Sequence, residues 1–410
     1  MQAFALVVST DLAMCWRLLD VRERTLDLQG RRPEQLADID AMQRLADAMD
    51  DDRRRGEVAL RRSGIALGTA DFRAMENAAR QAMALAQRTG DVKLGLRAQH
   101  RLALALCRLG DAAAGKALAQ DGLAAAQAQA LRADEARFLG ALVLVAATQN
   151  DRMVMLETIQ QNLLIARELG DRPGEARALV TLGSSWLAFG ACVQARFPLE
   201  EALRLARSIG LRASEPYALM NLSRLALWQG DDALALVHAQ SALNIAIEVQ
   251  DSLIETVALR GLGNAELALG RHAAAATAYE RSRAVALAMA LDSVDTDGAT
   301  AGMAQAALAR GDVAGALLVV EGLLVRLADA GTVDGTAAQQ VIRLTCHRVL
   351  ARAGDPRAAD LLATAHTELQ AQADAIADAA LRHSFLNNIP DHREIVVTWQ
   401  KSQATPQARK

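Results

Sequence analysis

The chain has 410 residues, of which 52% are hydrophobic, 23% charged and only 3% aromatic, with a formal net charge of −3. Ala and Leu carry the apolar share and Pro occurs only 7 times, which excludes a β-sandwich or barrel built on Val, Ile, Thr and aromatics and points to an all-α protein. The apolar content excludes disorder, and 45 basic against 48 acidic residues give no overall field to attract nucleic acid.

The chain opens on the apolar run Met1-Gln-Ala-Phe-Ala-Leu-Val-Val, which lacks the basic flank of a signal peptide and is interrupted by Asp11. No run reaches the roughly 18 apolar residues of a membrane span, so no membrane contact is expected and the expected location is the cytoplasm. Cys15, Cys107, Cys192 and Cys346 lie far apart without a CxxC pair and read as buried small hydrophobes in a reducing compartment. Residues 1–55 read as an N-terminal helical segment.

From about residue 56 one period dominates. Gly110, Gly190, Gly230 and Gly270 keep a 40-residue register, with Asn150 in the remaining slot, and Gly311 and Gly354 follow at slightly longer intervals. A second series sits half a period away at Gly90, Gly170 and Gly210, with Ala130 and Gln250 in equivalent slots. The chain thus turns about every 20 residues. In Leu109-Gly110-Asp111, Leu169-Gly170-Asp171, Gln229-Gly230-Asp231 and Arg310-Gly311-Asp312, Gly suits the left-handed end of one helix and Asp the N-cap of the next. Between turns, apolar residues recur at helical spacing, as in Leu199, Ala202, Leu203 and Ala206. Each unit is a pair of antiparallel helices that cannot bury its own apolar face, so neighbours must stack over residues 56–380. Residues 381–400 read as a capping segment in which Pro390 breaks the last helix, and residues 401–410 as a frayed tail.

The unit from Ala176 to Glu215 carries Leu182-Gly183, Trp186, Gly190, Ala195 and Ala202-Leu203. The next units carry Leu222-Ser223, Gly230, Ala235 and Ala242-Leu243, then Leu262-Gly263, Gly270, Ala275 and Tyr279. This pattern resembles the tetratricopeptide repeat, with the family's 34-residue period stretched to 40 and its late Pro missing. The resemblance implies a right-handed superhelical solenoid of seven to eight helix pairs. The flanks, with Trp16-Arg-Leu-Leu at one end and Leu381-Arg-His-Ser-Phe-Leu-Asn-Asn-Ile-Pro390 at the other, resemble the C-terminal region of bacterial multidomain signalling proteins. Those join a nucleotide cyclase or DNA-binding module, a STAND-type ATPase and such repeats, so this chain would be a detached or truncated repeat arm.

Motifs for chemistry are weak. Gly110-Asp-Ala-Ala-Ala-Gly115-Lys116 is followed by Ala117 where a P-loop needs Ser or Thr. Gly183-Ser-Ser-Trp186 lacks the second glycine of a nucleophile elbow. Cys346-His347, His383 and His392 have no metal-ligand spacing, and Arg53-Arg54-Arg55 after three Asp reads as neutralised surface charge. No catalytic residue, metal or cofactor is expected, and the chain is not expected to be an enzyme.

The informative residues line the first helix of each pair, which faces the concave side. In this register they are Arg97, Arg101, Arg137, Arg177, Asn221, Arg224, Trp228, Arg260 and Asn264. The guanidinium fork suits carboxylate or phosphate, and Trp228 offers a flat apolar anchor. The expected function is a scaffold or sensor arm that binds a protein or peptide segment, acidic in character, or an anionic ligand in a basic groove. The competing expectations are that these Arg pair with acids of neighbouring helices, or that the arm regulates an ATPase or cyclase by sensing a small molecule. Asn221 matches the central Asn of the family's carboxylate clamp, but Val180, Ser184, Val257 and Gly261 replace its other members, which disfavours a chaperone-tail receptor.

Overall fold

The computed structural model describes residues 11–149, 151–289, 293–329 and 337–404. Twenty α-helices, one 3-10 turn and no strand occur among the described residues. The first ten helices are α1 (Leu12–Gln29), α2 (Arg32–Ala48), α3 (Asp52–Gly68), α4 (Phe72–Thr89), α5 (Val92–Arg108), α6 (Ala112–Ala128), α7 (Arg132–Thr148), α8 (Arg152–Glu168), α9 (Arg172–Ala188) and α10 (Cys192–Ser208). A 3-10 turn (Arg212–Ser214) leads into α11 (Glu215–Trp228), then α12 (Asp232–Glu248), α13 (Ser252–Ala268), α14 (His272–Ala288), α15 (Ser293–Ala309), α16 (Val313–Asp329) and α17 (Ala337–Ala353). The chain closes on α18 (Arg357–Asp374), α19 (Ala379–Asn387) and α20 (Pro390–Ala404), so Pro390 does separate the last two helices.

The turns follow from local chemistry. A residue with positive φ ends a helix at positions 30, 50, 70, 90, 110, 130, 170, 190, 210, 230, 250 and 270. Eight of these are Gly; Asp50, Ala70, Ala130 and Gln250 take the same conformation at φ 48 to 55°. The beat therefore runs upstream through Gly30 and Asp50, and the Asn150 slot falls outside the described residues. One residue further on, the backbone N–H reaches back to the carbonyl five residues earlier, as in Asp111 to Leu106 (2.9 Å), Asp171 to Ala166 (2.9 Å) and Asp231 to Ala226 (2.9 Å). This is the six-to-one bond of a Schellman motif. The same Asp side chains accept from the first turn of the next helix, Asp111 from Ala114 (3.0 Å), Asp171 from Gly174 (2.9 Å) and Asp312 from Gly315 (2.8 Å). The carbonyl that accepts the six-to-one bond most often belongs to a buried Ala (Ala46, Ala66, Ala86, Ala126, Ala166, Ala206, Ala226, Ala246), and to Leu26, Leu106, Trp186 or Glu266 at other turns.

Consecutive helices pack in order, and α3–α5, α5–α7, α9–α11, α11–α13, α13–α15 and α15–α17 also touch. The odd-numbered helices thus line the tighter, inner side of the curve. Buried Glu175 at the start of α9 accepts from both Arg167 (2.9 Å) and Arg172 (3.2 Å), and Glu215 repeats this with Arg207 (3.2 Å) and Arg212 (3.2 Å). These brackets tie each turn to the inner helix it feeds. All four cysteines are free; Cys107 and Cys346 are buried as expected, whereas Cys15 and Cys192 are only half-buried. Arg53, Arg54 and Arg55 pair with acids, Arg53 with Asp91 at 2.8 Å, as surface neutralisation requires.

The coils of the superhelix touch. Phe385 of α19 and Ile389 pack with Leu156 of α8 and Phe189. Asn388 donates to the Gly190 carbonyl at 3.0 Å, 198 residues away. Arg152 donates to Gln372 at 3.2 Å, 220 residues away, and its guanidinium lies 4.7 Å from the Phe385 ring centre. Gly30 abuts Val249 in the same way, so closely that a Cβ there would come within 2.5 Å of the valine Cβ. One coil therefore takes about five helix pairs.

Two glycines separate turn geometry from coil contact. Gly190 (φ +69°) would place a Cβ 2.5 Å from the Ser384 carbonyl oxygen, whereas Gly230 (φ +78°) faces open space. Gly230→Ala is expected to cost about 1–2 kcal/mol from backbone conformation alone, and Gly190→Ala about 2–5 kcal/mol because overpacking adds to it. Chemical denaturation of both variants measures the difference; equal losses would remove the coil contact from the account.

Candidate functional site

Three of the inner-face arginines occupy the same position in successive units. Arg97 on α5, Arg137 on α7 and Arg177 on α9 follow one another at 40 residues, framed by Glu57 on α3 and Tyr217 on α11 at the same register. Arg101 sits one turn beyond Arg97. Arg224 and Arg260, on α11 and α13, form a second group.

Arg97, Arg177 and Arg224 are exposed to solvent, and the protein around them lowers their basicity. Burial, followed by repulsion from Arg97, Arg177 and Arg137, brings Arg101 down to about 10 despite attraction from Asp27. Burial and then the neighbouring Arg260 bring Arg224 down to about 10. Arg97 is lowered by burial and by Arg137 and Arg61, and Arg177 by burial and Arg137. These mutual effects place the first four arginines in one field.

Ion pairing divides the set. Arg137 pairs with Asp134 at 2.5 Å, one turn earlier on its own helix. Arg97, Arg101, Arg177 and Arg224 have neither an ion pair nor a side-chain hydrogen bond among the described residues, although most other arginines do. Compensation is at longer range, from Asp27 for Arg101, from Asp171 and then Asp27 for Arg177, and from Glu57 and Asp134 for Arg97. An opening of about 530 Å³ is lined by Arg53, Glu57, Asp91, Arg97, Asp134 and Arg137, so of the candidate arginines it takes in Arg97 and Arg137.

The three non-arginine candidates are engaged within the fold. Asn221 donates to the Tyr217 carbonyl of its own helix at 2.9 Å, and Asn264 accepts from the Tyr279 hydroxyl at 2.7 Å. Trp228 is half-buried and, with Trp186, packs on both the central core and the cluster that includes Phe189 and Phe385. His100, a residue that no motif marks, lies between Arg97 and Arg101 on α5. Burial, then Arg101, Arg137 and Arg177, drive its pKa down to about 3. Asp27, far upstream on α1, also acts on Arg101 and Arg177, an influence that no local spacing records.

Among the described residues no cluster of three or more His, Cys, Asp or Glu side chains is placed to hold a metal, and no helix is long and apolar enough to cross a membrane. No family model matches the sequence, and no curated protein matches it. Solved structures do resemble the fold. A Rap protein complexed with competence and sporulation factor superposes with a TM-score of 0.53 at 14% identity, over 82% of this chain and 99% of that one. NprR in complex with its cognate peptide NprX gives 0.51 at 12% identity, over 84% and 99%. The apo form of the quorum sensor NprR from B. thuringiensis gives 0.50 at 12% identity, over 84% and 98%. The chain is thus an all-α solenoid of the tetratricopeptide-like helical-repeat class.

The position of His100 sets an acid limit. Its pKa falls from 6.5 in the unfolded chain to about 3 in the fold, so the unfolded state binds more protons between those values. The stability this neutral imidazole permits is intact above about pH 6.5 and drains away as pH falls toward 3. Unfolding free energies measured at pH 7, 5 and 4 should decline less steeply in His100→Gln than in wild type; parallel declines would contradict the placement.

Proposed function

We propose that this chain is a non-enzymatic repeat scaffold or sensor arm that takes an acidic peptide or another anionic ligand into its arginine-lined inner groove. The observation that carries this reading is the set of four arginines, Arg97, Arg101, Arg177 and Arg224, that lack a carboxylate partner in a confined, solvent-reached space. Two like charges about 8 Å apart at an effective dielectric constant of about 20 repel by about 2 kcal/mol. An arriving anion lessens that repulsion and gains charge-assisted hydrogen bonds. The two structural neighbours crystallised with a signalling factor or cognate peptide support a peptide as the ligand form. Non-nucleic-acid partnership and a cytoplasmic setting belong to the same proposal.

The test replaces Arg177 and Arg224 by Glu in the full chain. Isothermal titration with an acidic peptide should show at least a tenfold loss of affinity, and wild-type binding should weaken with added salt. Affinity that stays unchanged in a folded double variant, judged by far-UV circular dichroism, would remove the basic groove from the proposal.

A further inference from the structure

The inner helices α9, α11 and α13 touch in sequence, but the outer helices α10 and α12 splay apart over α11 and leave an opening of about 330 Å³ between them. Its floor is apolar, formed by Leu222, Leu225 and Ala226 of α11, with Leu203 of α10 and Leu234 of α12 on either side. Its rim is basic. Arg196, Arg204 and Arg207 line it from α10, and Glu200 is the acid among them. The four stand at i, i+4, i+8 and i+11, so one face of the helix carries them all.

This rim is a departure from the repeat. Where α10 has Arg196 and Arg204, the preceding outer helix α8 has Leu156 and Leu164, and the following one, α12, has Leu236 and Asn244. The neighbouring units stack without these charges, so stacking does not require them here. The rim cations are also unequally engaged. Arg196 donates to Gln229 at 2.5 Å and lies 3.5 Å from Glu200, and Arg207 donates to Glu215 at 3.2 Å. Arg204 is exposed and makes no side-chain hydrogen bond among the described residues. Its one acid is Glu201 at 3.9 Å, which Arg167 also reaches at 3.5 Å. His238, on the α12 side, is kept below its ordinary pKa by burial and then by Arg207, against Asp231 and Glu200, and adds no charge at neutral pH. One guanidinium is thus left to take a single anionic group, beside leucine and alanine side chains that offer no polar partner. Its planar fork matches a carboxylate, and the leucines match an aliphatic chain.

We infer that this outer opening is a second binding site, for a small carboxylate with an aliphatic chain, the acid group on Arg204 and the chain over Leu222, Leu225 and Leu234. The site lies on the convex side and does not rest on the inner-groove reading. A carboxylate without the chain forgoes the floor, and an amphiphile of opposite charge meets the arginine rim.

Isothermal titration of the full chain with octanoate, hexanoate and octylammonium tests it. Octanoate should saturate at one per chain and bind about tenfold tighter than hexanoate, because each buried CH2 is worth about a fourfold gain. Octylammonium, with the same chain length and the opposite charge, should not saturate. Arg204 and Leu234 are both exposed, so Arg204→Glu and Leu234→Gln should keep the fold, judged by far-UV circular dichroism, and each should weaken octanoate by about tenfold. The double variant Arg177→Glu, Arg224→Glu should bind octanoate within about twofold of wild type, since its changes lie on the inner face. Octanoate that fails to saturate, that binds no tighter than hexanoate or octylammonium, or that keeps its affinity in either folded outer variant overturns the site. Loss of octanoate binding in the inner-face double variant places the anion in the inner groove and overturns the outer site as well.

Discussion

The left-handed residue that recurs every twenty positions is the constraint from which the rest of the molecule is built. It reverses the chain within three residues, and the Schellman bond and the Asp cap satisfy the backbone groups that the reversal would otherwise strand. Because the repeated turns share one geometry, most helices have 17 or 18 residues, and the apolar faces fall into one series.

The same regularity brings the cations together. A residue repeated at 40 positions lands on the same face of each inner helix, so three arginines in register become one field without any long-range contact between the segments that carry them. In an open surface such charges would be screened and nearly independent. The confined groove changes that, because low dielectric and like neighbours depress Arg101 and Arg224 to about 10. The protein thus keeps an unfavourable charge arrangement that its stacking energy sustains, and the arrangement faces the space where a ligand would lie.

Legibility from sequence divides along the range of the interaction. The helix pairs, the turn residues at Ala130 and Gln250 and the inner placement of Arg97, Arg137 and Arg177 are encoded within one or two periods, and the 40-residue spacing exposes them. The pairing of Arg137 with Asp134 is also local and was within reach of a helical-spacing argument. Gly30, Asp50 and Ala70 extend the beat upstream, but Asp and Ala are poor markers of a left-handed turn. Coil-to-coil contact is a different matter. Asn388 meets Gly190 only because small rotations per unit accumulate over 198 residues, and no single side chain records that sum. Trp228 shows the consequence: it packs on the central core and on the cluster that gathers Phe189 and Phe385 from distant units.

Contact between coils also alters how such a chain comes apart. In an open stack each unit feels its two neighbours alone, so the ends peel first and the array unzips like a row of dominoes. Here the last helices are buttressed by units near the middle, through Phe385 on Leu156 and Asn388 on Gly190, and Gly30 leans on Val249 in the same manner. The spiral gains a transverse bracing, its termini share the fate of its interior, and melting becomes a collective event.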